Sequence, residues 1–208
     1  MTTYLGTEVL LEQPNRVLSV SEPQQLASTV MDARTGLRKI EVRQSAPARS
    51  RELEMLAMDL GEAYELRQVL ERRRGRQKAI WVPTWQRDLV LTAAAAAGSG
   101  TITVRECGYA TRIWPHAAAR RHLLLLAPGG ATTLLRRVSV AVTDGSTETL
   151  TLVGPGGETT HGVEIAATWL VCFLRLMRLD RDEIAWRWRG GTAAVALPIR
   201  EIPAEAPA

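Results

Sequence analysis

Hydrophobic and polar residues alternate along much of this chain, and the alternation predicts β-strands. From Lys39 to Arg43 apolar and charged residues follow one another with a period of two, the pattern of a half-buried strand. Short apolar runs between turn-forming residues predict further strands at 101–104, 122–126, 134–142, 147–153, 169–179, 183–189 and 192–202. Gly190-Gly191 predicts a hairpin turn, and Pro198 favours an edge position for the last strand.

Residues 50–74 combine both periodicities, so we predict a strand followed by a helix. The strand covers 50–58, a break lies at 59–61, and the helix covers 62–74. Leu66 and Leu70 fall on an apolar helical stripe, whereas Gly61 disfavours a longer helix by about 1 kcal/mol relative to Ala. Acidic residues in the first turn and arginines in the last suit the helix dipole, and Gly75 is the predicted C-cap.

The composition is that of a globular protein with enough length for one large or two small domains. The chain has 208 residues, of which 46% are hydrophobic and 23% charged. Its net charge of +4 rests almost entirely on arginines scattered through both halves, which favours a coding bias over a nucleic-acid surface. The longest apolar run, 165–176, is too short to span a bilayer. We therefore expect no membrane partner.

Few residues suggest catalysis or metal binding. Cys107 and Cys172 belong to no CxxC pair, and the three histidines lack helical zinc-site spacing. The sequence has neither a GxSxG elbow nor a P-loop, although a Ser-His-Asp triad can assemble from distant residues. The basic cluster 72–76 contains no interleaved aromatic residues, so we interpret it as a solvated helix end. We predict a protein without enzymatic activity, metal or cofactor.

Tryptophan is the unusual component, with six residues against one Phe and three Tyr. Trp186 and Trp188 share one face of the predicted strand 183–189, and so large an apolar surface must meet a core or a neighbour. We expect packing in the core or at subunit contacts for Trp81, Trp169, Trp186 and Trp188. Exposure of Trp85 and Trp114 would instead favour carbohydrate binding.

Two segments carry a resemblance to a known family. Arg74-Gly75-Arg76 is followed by Trp81-Val82-Pro83-Thr84-Trp85, and Leu179 to Ile184 opens the closing segment. In this order the parts resemble tail-tip and baseplate proteins of tailed bacteriophages, of the distal tail protein type. The resemblance spans roughly 37–203.

The resemblance and the strand pattern together predict a mainly β, α+β fold. A β-sandwich-like belt domain with one short helix is expected at 37–85 and 163–203. A small β-barrel or β-sandwich module is expected as an insertion at 86–162. Residues 1–36, which have no counterpart in the resemblance, are interpreted as an N-terminal arm, and 204–208 as a flexible tail.

The function that the resemblance implies is structural. It implies a virion protein that forms a ring, with a hexamer favoured and a trimer possible. The ring would join the tail tube to tip and hub proteins, and DNA would pass through its lumen. The protein would be made in the bacterial host cytoplasm and act in the virion tail. The predicted subunit-interface residues are Trp81, Trp85, Trp186, Trp188 and Arg76.

Two alternatives stay open at this stage. The main one is a carbohydrate-binding β-module of a phage tail or of a bacterial surface protein. An enzyme that uses His116 or Asp144 is the third hypothesis.

Overall fold

A computed structural model describes residues 2–15, 23–25, 28–32, 38–42 and 48–207. The strands in chain order are β1 (Thr3–Tyr4), β2 (Thr7–Glu8), β3 (Gln24–Gln25), β4 (Ser28–Asp32), β5 (Arg38–Val42), β6 (Ala48–Ala57), β7 (Ile80–Pro83), β8 (Thr101–Arg105), β9 (His122–Leu126), β10 (Thr133–Thr143), β11 (Thr147–Val153), β12 (Leu170–Leu179), β13 (Trp186–Arg189) and β14 (Thr192–Glu201). Helix α1 spans Leu60–Arg73. Residues 16–22, 26–27 and 33–36 of the predicted N-terminal arm lie outside the described residues.

The fold is mainly β with few helices, so the predicted fold class is confirmed. The chain divides into two compact units. Unit 1 contains residues 1–11, 81–175 and 206–208, and unit 2 contains residues 12–80 and 176–205. The belt and insertion boundaries drawn from the sequence stay a prediction.

Unit 1 is built on antiparallel strands that follow one another in space. Strand β9 pairs with the first residues of β12 and with β10, β10 pairs with β11, and β11 pairs with β8. Alternate side chains of β11 point into the core, where Leu150 and Leu152 meet Ile102 and Val104. The alanine run 93–97 forms no helix, because it is short and ends at a Gly-Ser-Gly turn.

Unit 2 is organised around β14. This strand pairs with β6 from Ala193 to Arg200, and on its other side with β13 and then with the end of β12. Strand β3 pairs with the first residues of β6, while among the described residues β4 and β5 pair only with each other. Every second residue of β14 from Ala193 to Glu201 is buried, which is the burial pattern of a strand with one face on a core.

The expectation that Pro198 lies on an edge strand is wrong. Its carbonyl accepts a hydrogen bond of 2.8 Å from the Asp180 N–H. The reciprocal bond is the one that proline cannot donate. Pro198 lies in the gap between two neighbours of β14, because the pairing with β13 ends at Val195 and the pairing with β12 starts at Ile199. A central strand therefore tolerates proline here because its neighbour on that side changes.

Helix α1 begins two residues earlier than predicted because its N-terminus is capped on both sides. The Asp59 carboxylate accepts the Glu62 N–H at 2.8 Å, and the Glu62 carboxylate accepts the Met58 N–H at 2.8 Å. This reciprocal arrangement satisfies two backbone donors. At the other end Arg74, rather than the predicted Gly75, takes the C-cap position with φ of 51°. Gly75 follows with φ of 61°, so both residues are left-handed.

We predict that Asp59→Ala lowers the free energy of unfolding by about 1 kcal/mol, because a backbone donor of α1 loses its acceptor. Urea unfolding followed by circular dichroism measures the change. Glu65→Ala on the same helix is the control and should shift the free energy by less than about 0.5 kcal/mol. Equal effects of the two substitutions would contradict the capping role.

Candidate functional site

A groove between α1 and β13 in unit 2 gathers three of the residues predicted as an interface. We call it the α1–β13 groove. It is open to solvent and has a volume of about 430 Å³. Its lining residues are Arg67, Leu70, Glu71, Arg74, Gly75, Asp182, Ile184, Trp186 and Trp188. Arg76 adjoins it beside Gly75 and Asp182.

Two stacked indoles form one wall of the groove. The rings of Trp186 and Trp188 have centroids 5.9 Å apart and planes inclined by 21°. They share a face because they are two residues apart on β13. Trp186 packs against a cluster of small side chains from β6, α1 and β14, namely Ala57, Ala63 and Ala193. Trp188 retains 49% of its surface, so one indole is anchored and the other is half exposed to solvent.

The hairpin turn that follows β13 is the predicted one. Gly190 and Gly191 have φ of 55° and 93°, values that favour glycine. The turn sets the pairing of Trp188 opposite Ala193 and of Trp186 opposite Val195. The register of the hairpin therefore decides which face of β13 carries the indoles.

Asp182 fastens the segment before β13 to the end of α1. Its Oδ1 accepts the Arg76 N–H at 2.9 Å, and its Oδ2 accepts the Arg76 guanidinium at 3.2 Å. These bonds, the backbone one first, lower the pKa of Asp182. Both side chains are more than 60% exposed, so the ion pair itself contributes little to stability. Its effect is to fix position.

Gly75 is required at this point by close approach as well as by its φ. A Cβ on Gly75 would lie 2.2 Å from the Asp182 Oδ1 and 3.3 Å from the Asp182 Cα. Any larger residue would therefore push Asp182 away from Arg76. No local pattern in the sequence indicates this contact between Gly75 and Asp182.

The charges around the groove leave one arginine uncompensated. The Arg67 Nε donates to Glu71 at 2.9 Å, and Arg76 is paired with Asp182. Arg74 is exposed, and its side chain has no hydrogen-bond or ion-pair partner within the part of the chain that the structure describes. The groove therefore has a net positive charge beside an apolar wall.

Trp81 and Trp85 lie elsewhere, inside unit 1. Trp81 has no exposed surface and donates its indole N–H to the Tyr4 carbonyl at 3.1 Å. Trp85 is 7% exposed. Their role at a subunit interface stays a prediction, and it would have to be indirect because neither ring is accessible.

Asp144 and His116, the residues named for the enzyme hypothesis, do not form a common site: Asp144 is engaged within its own turn, and His116 is exposed. The Asp144 carboxylate accepts hydrogen bonds from Ser146 and Thr147 within one turn, and these bonds lower its pKa. His116 is exposed. Among the described residues, no group of three or more His, Cys, Asp or Glu side chains is arranged to hold a metal ion.

The buried carboxylate of Glu148 contacts the exposed Cys107, a pairing that the sequence did not indicate. Glu148 is fully buried and accepts the Ala110 N–H at 2.7 Å and the Cys107 thiol at 3.3 Å. Partial burial and this hydrogen bond raise the pKa of Cys107 to about 11. The thiol is therefore protonated near neutral pH and is a weak nucleophile.

A second unpredicted cluster surrounds His122 in the core of unit 1. The Tyr4 hydroxyl donates to His122 Nδ1 at 3.1 Å, and His122 Nε2 donates to the Pro207 carbonyl at 2.8 Å. The Trp81 ring lies 4.7 Å from the imidazole. Three distant parts of the chain thus meet at one side chain.

The His122 imidazole is neutral in this setting. Burial lowers its pKa, and the nearby arginines Arg137 and Arg121 lower it further, against the opposing effect of the Pro207 hydrogen bond. Burial also lowers the pKa of His161, which is 1% exposed. Both groups favour the folded state only while they are uncharged.

Within the described residues, no helix combines the length and apolarity that crossing a membrane requires. A comparison with protein-family models finds no match for this sequence, and no curated protein sequence matches it.

We predict that stability decreases as the pH falls below about 6.5, the ordinary pKa of histidine. The folded chain holds His122 with a lowered pKa, so between that pKa and 6.5 the unfolded chain binds the additional proton. Unfolding free energies from urea titrations between pH 7.5 and 5.5 measure the slope. His122→Phe should reduce the slope whatever its effect on stability at pH 7.5, whereas the exposed control His116→Phe should not. An unchanged slope in His122→Phe contradicts the assignment.

We predict that Gly75→Ala lowers the free energy of unfolding more than Gly190→Ala does. Both substitutions place Ala at a positive φ, which costs about 1–2 kcal/mol. Only the Cβ at 75 would also clash, with Asp182, since nothing lies within 4 Å of a Cβ at 190. Thermal and urea unfolding of both variants measure the difference. Equal losses would show that the contact with Asp182 does not constrain the fold.

Proposed function

We propose that this chain is a structural virion protein of a tailed bacteriophage. It forms part of the tail tip or baseplate, as a distal-tail-like ring between the tail tube and the tip and hub proteins. The order of the motifs around 74–85 and 179–184 supports the proposal. The observation that carries it is the exposed Trp188, stacked on Trp186 in the α1–β13 groove.

Exposed apolar side chains in unit 2 are what a structural assembly would cover. Besides Trp188, they are Leu56, Met58, Leu60 and Tyr64, each between 47% and 65% exposed. Covering the exposed half of an indole contributes about 2–3 kcal/mol at roughly 25 cal/mol per Å². A stable contact needs roughly 800 Å² from each partner, more than one tryptophan supplies. Several of these side chains would have to be covered together.

A ring fits these surfaces because a subunit in a ring is covered on two sides. A hexamer is favoured and a trimer is the alternative order. The lumen of the ring would pass DNA without sequence recognition, and the protein would be located in the virion tail. No catalytic step and no cofactor belong to this function.

Carbohydrate binding is the second candidate, and the stacked indoles are the observation that favours it. The residues first considered for it do not serve well. Trp85 is buried, and Trp114 is half-buried with the Arg121 guanidinium 4.8 Å from its ring centroid. A sugar ring would therefore stack on Trp188, whose indole is the accessible one.

We predict that the purified chain forms a closed oligomer of three or six copies of the 22.8 kDa subunit. Size-exclusion chromatography with light scattering gives the mass, and negative-stain electron microscopy shows whether a ring is present. Trp188→Ser should weaken assembly. Trp114→Ser is the control and should leave assembly unchanged, because Trp114 lies outside unit 2.

A chain that stays monomeric at all concentrations, with no density for it in cryo-electron microscopy of the virion, would contradict the proposal. Binding of the monomer on a glycan array, lost in Trp188→Ser, would instead favour the carbohydrate-binding function.

A further inference from the structure

We propose that the two flanks of α1 are complementary docking surfaces, and that a second copy of this chain places one flank against the other flank of its neighbour. One surface is the α1–β13 groove. The other is an acidic and apolar surface on the opposite flank, which we call the α1–β6 flank. The inference rests on the proposed ring function and specifies its subunit contact.

The α1–β6 flank has a composition unlike that of the groove. Its lining residues are Glu12, Gln13, Met55, Leu56, Ala57, Glu62, Glu65 and Leu66. Glu62 is engaged in capping α1. Glu12 and Glu65 are exposed, and neither has a hydrogen-bond or ion-pair partner among the residues that the structure describes. Leu56, 47% exposed, adds an apolar side chain to this lining.

The helical period separates the two surfaces. The buried stripe of α1 runs through Ala63, Leu66 and Leu70. Glu62 and Glu65 lie on one side of this stripe, and Arg67, Glu71 and Arg74 lie on the other, since residues three or four apart share a flank. One helix therefore presents acidic groups to one side and a net positive groove to the other.

Charge complementarity selects a second copy as the occupant. The α1–β6 flank carries three carboxylates. Around the groove, Arg67 and Arg76 are balanced by Glu71 and Asp182, which leaves the charge of Arg74. Two copies joined by the same flank would oppose like charges, whereas different flanks oppose unlike charges. Such a heterologous contact leaves one flank free on each end and continues until a ring closes.

The apolar groups support the same pairing. Leu56 is the exposed apolar residue in the lining of the acidic surface, and Trp188 forms the exposed wall of the groove. Placing them together removes two exposed apolar surfaces with one contact. The charged residues around them then set the orientation of the two copies.

Charge reversal tests the contact. Arg74→Glu and Glu65→Arg should each weaken self-association about tenfold, since each places like charges across the contact. Both substitutions in one chain should restore association to within about threefold of the original chain, because the reversed charges again oppose each other. Sedimentation velocity over a range of concentrations measures all of these.

Two controls make the result decisive. Arg187→Glu changes an exposed residue of β13 that lies on the strand face opposite Trp186 and Trp188. This substitution should leave association unchanged. Circular dichroism and thermal unfolding show that each variant folds. An original chain that stays monomeric overturns both the ring function and this contact. Assembly that the single reversals leave unaffected, or that the double reversal fails to restore, overturns the contact alone and leaves the ring function standing.

Discussion

Pairing between β6 and β14 is the interaction on which unit 2 depends. It runs from Ala57 opposite Ala193 to Ser50 opposite Arg200. Its Ala57 end lies just before α1, and its Ala193 end lies just after the hairpin that carries Trp186. Because these alanines are small, the helix approaches the sheet closely and an indole packs over them. The α1–β13 groove exists because helix α1 and the hairpin that carries Trp186 both adjoin the same end of this strand pair.

A second constraint acts at the other end of α1. Two successive left-handed residues, Arg74 and Gly75, turn the chain so that the Arg76 N–H points to Asp182. The bond spans 106 residues of sequence but holds only exposed groups. Its contribution is geometric, because it positions the segment before β13 relative to the helix. The two indoles depend on this placement as much as on their own strand.

The strands and the hairpin of this chain could be predicted because their signals are local. Period-two alternation and paired glycines act over a few residues, and they predicted β11 and β13–β14 well. Helix ends were less accurate because capping depends on which residue takes a particular φ: Arg74 adopts the conformation expected of Gly75. Pro198 was misplaced because a rule for single strands does not see that a neighbouring strand can change.

The residues that meet in the α1–β13 groove could be predicted only in part. Trp186 and Trp188 were singled out because they share a strand face, and Arg76 through the family resemblance; their role at an interface stays a prediction. The partners of His122, 118 and 85 residues away in the sequence, gave no local signal. The same is true of the carboxylate that approaches Gly75. Contacts across such separations follow from the complete fold, so no sequence window contains them.

The position of Pro198 has a consequence for alignment during folding. Residues 192–197 of β14 are mostly Ala and Val, a repetitive stretch that by itself would pair almost equally well after sliding by two residues. After such a slide the Pro198 nitrogen, which carries no hydrogen, would leave the gap between β13 and β12. It would then lie opposite a backbone carbonyl that needs a donor. Each such misaligned pairing would lack one backbone hydrogen bond, so Pro198 favours the native register of β14 over the alternatives that its neighbours alone would allow.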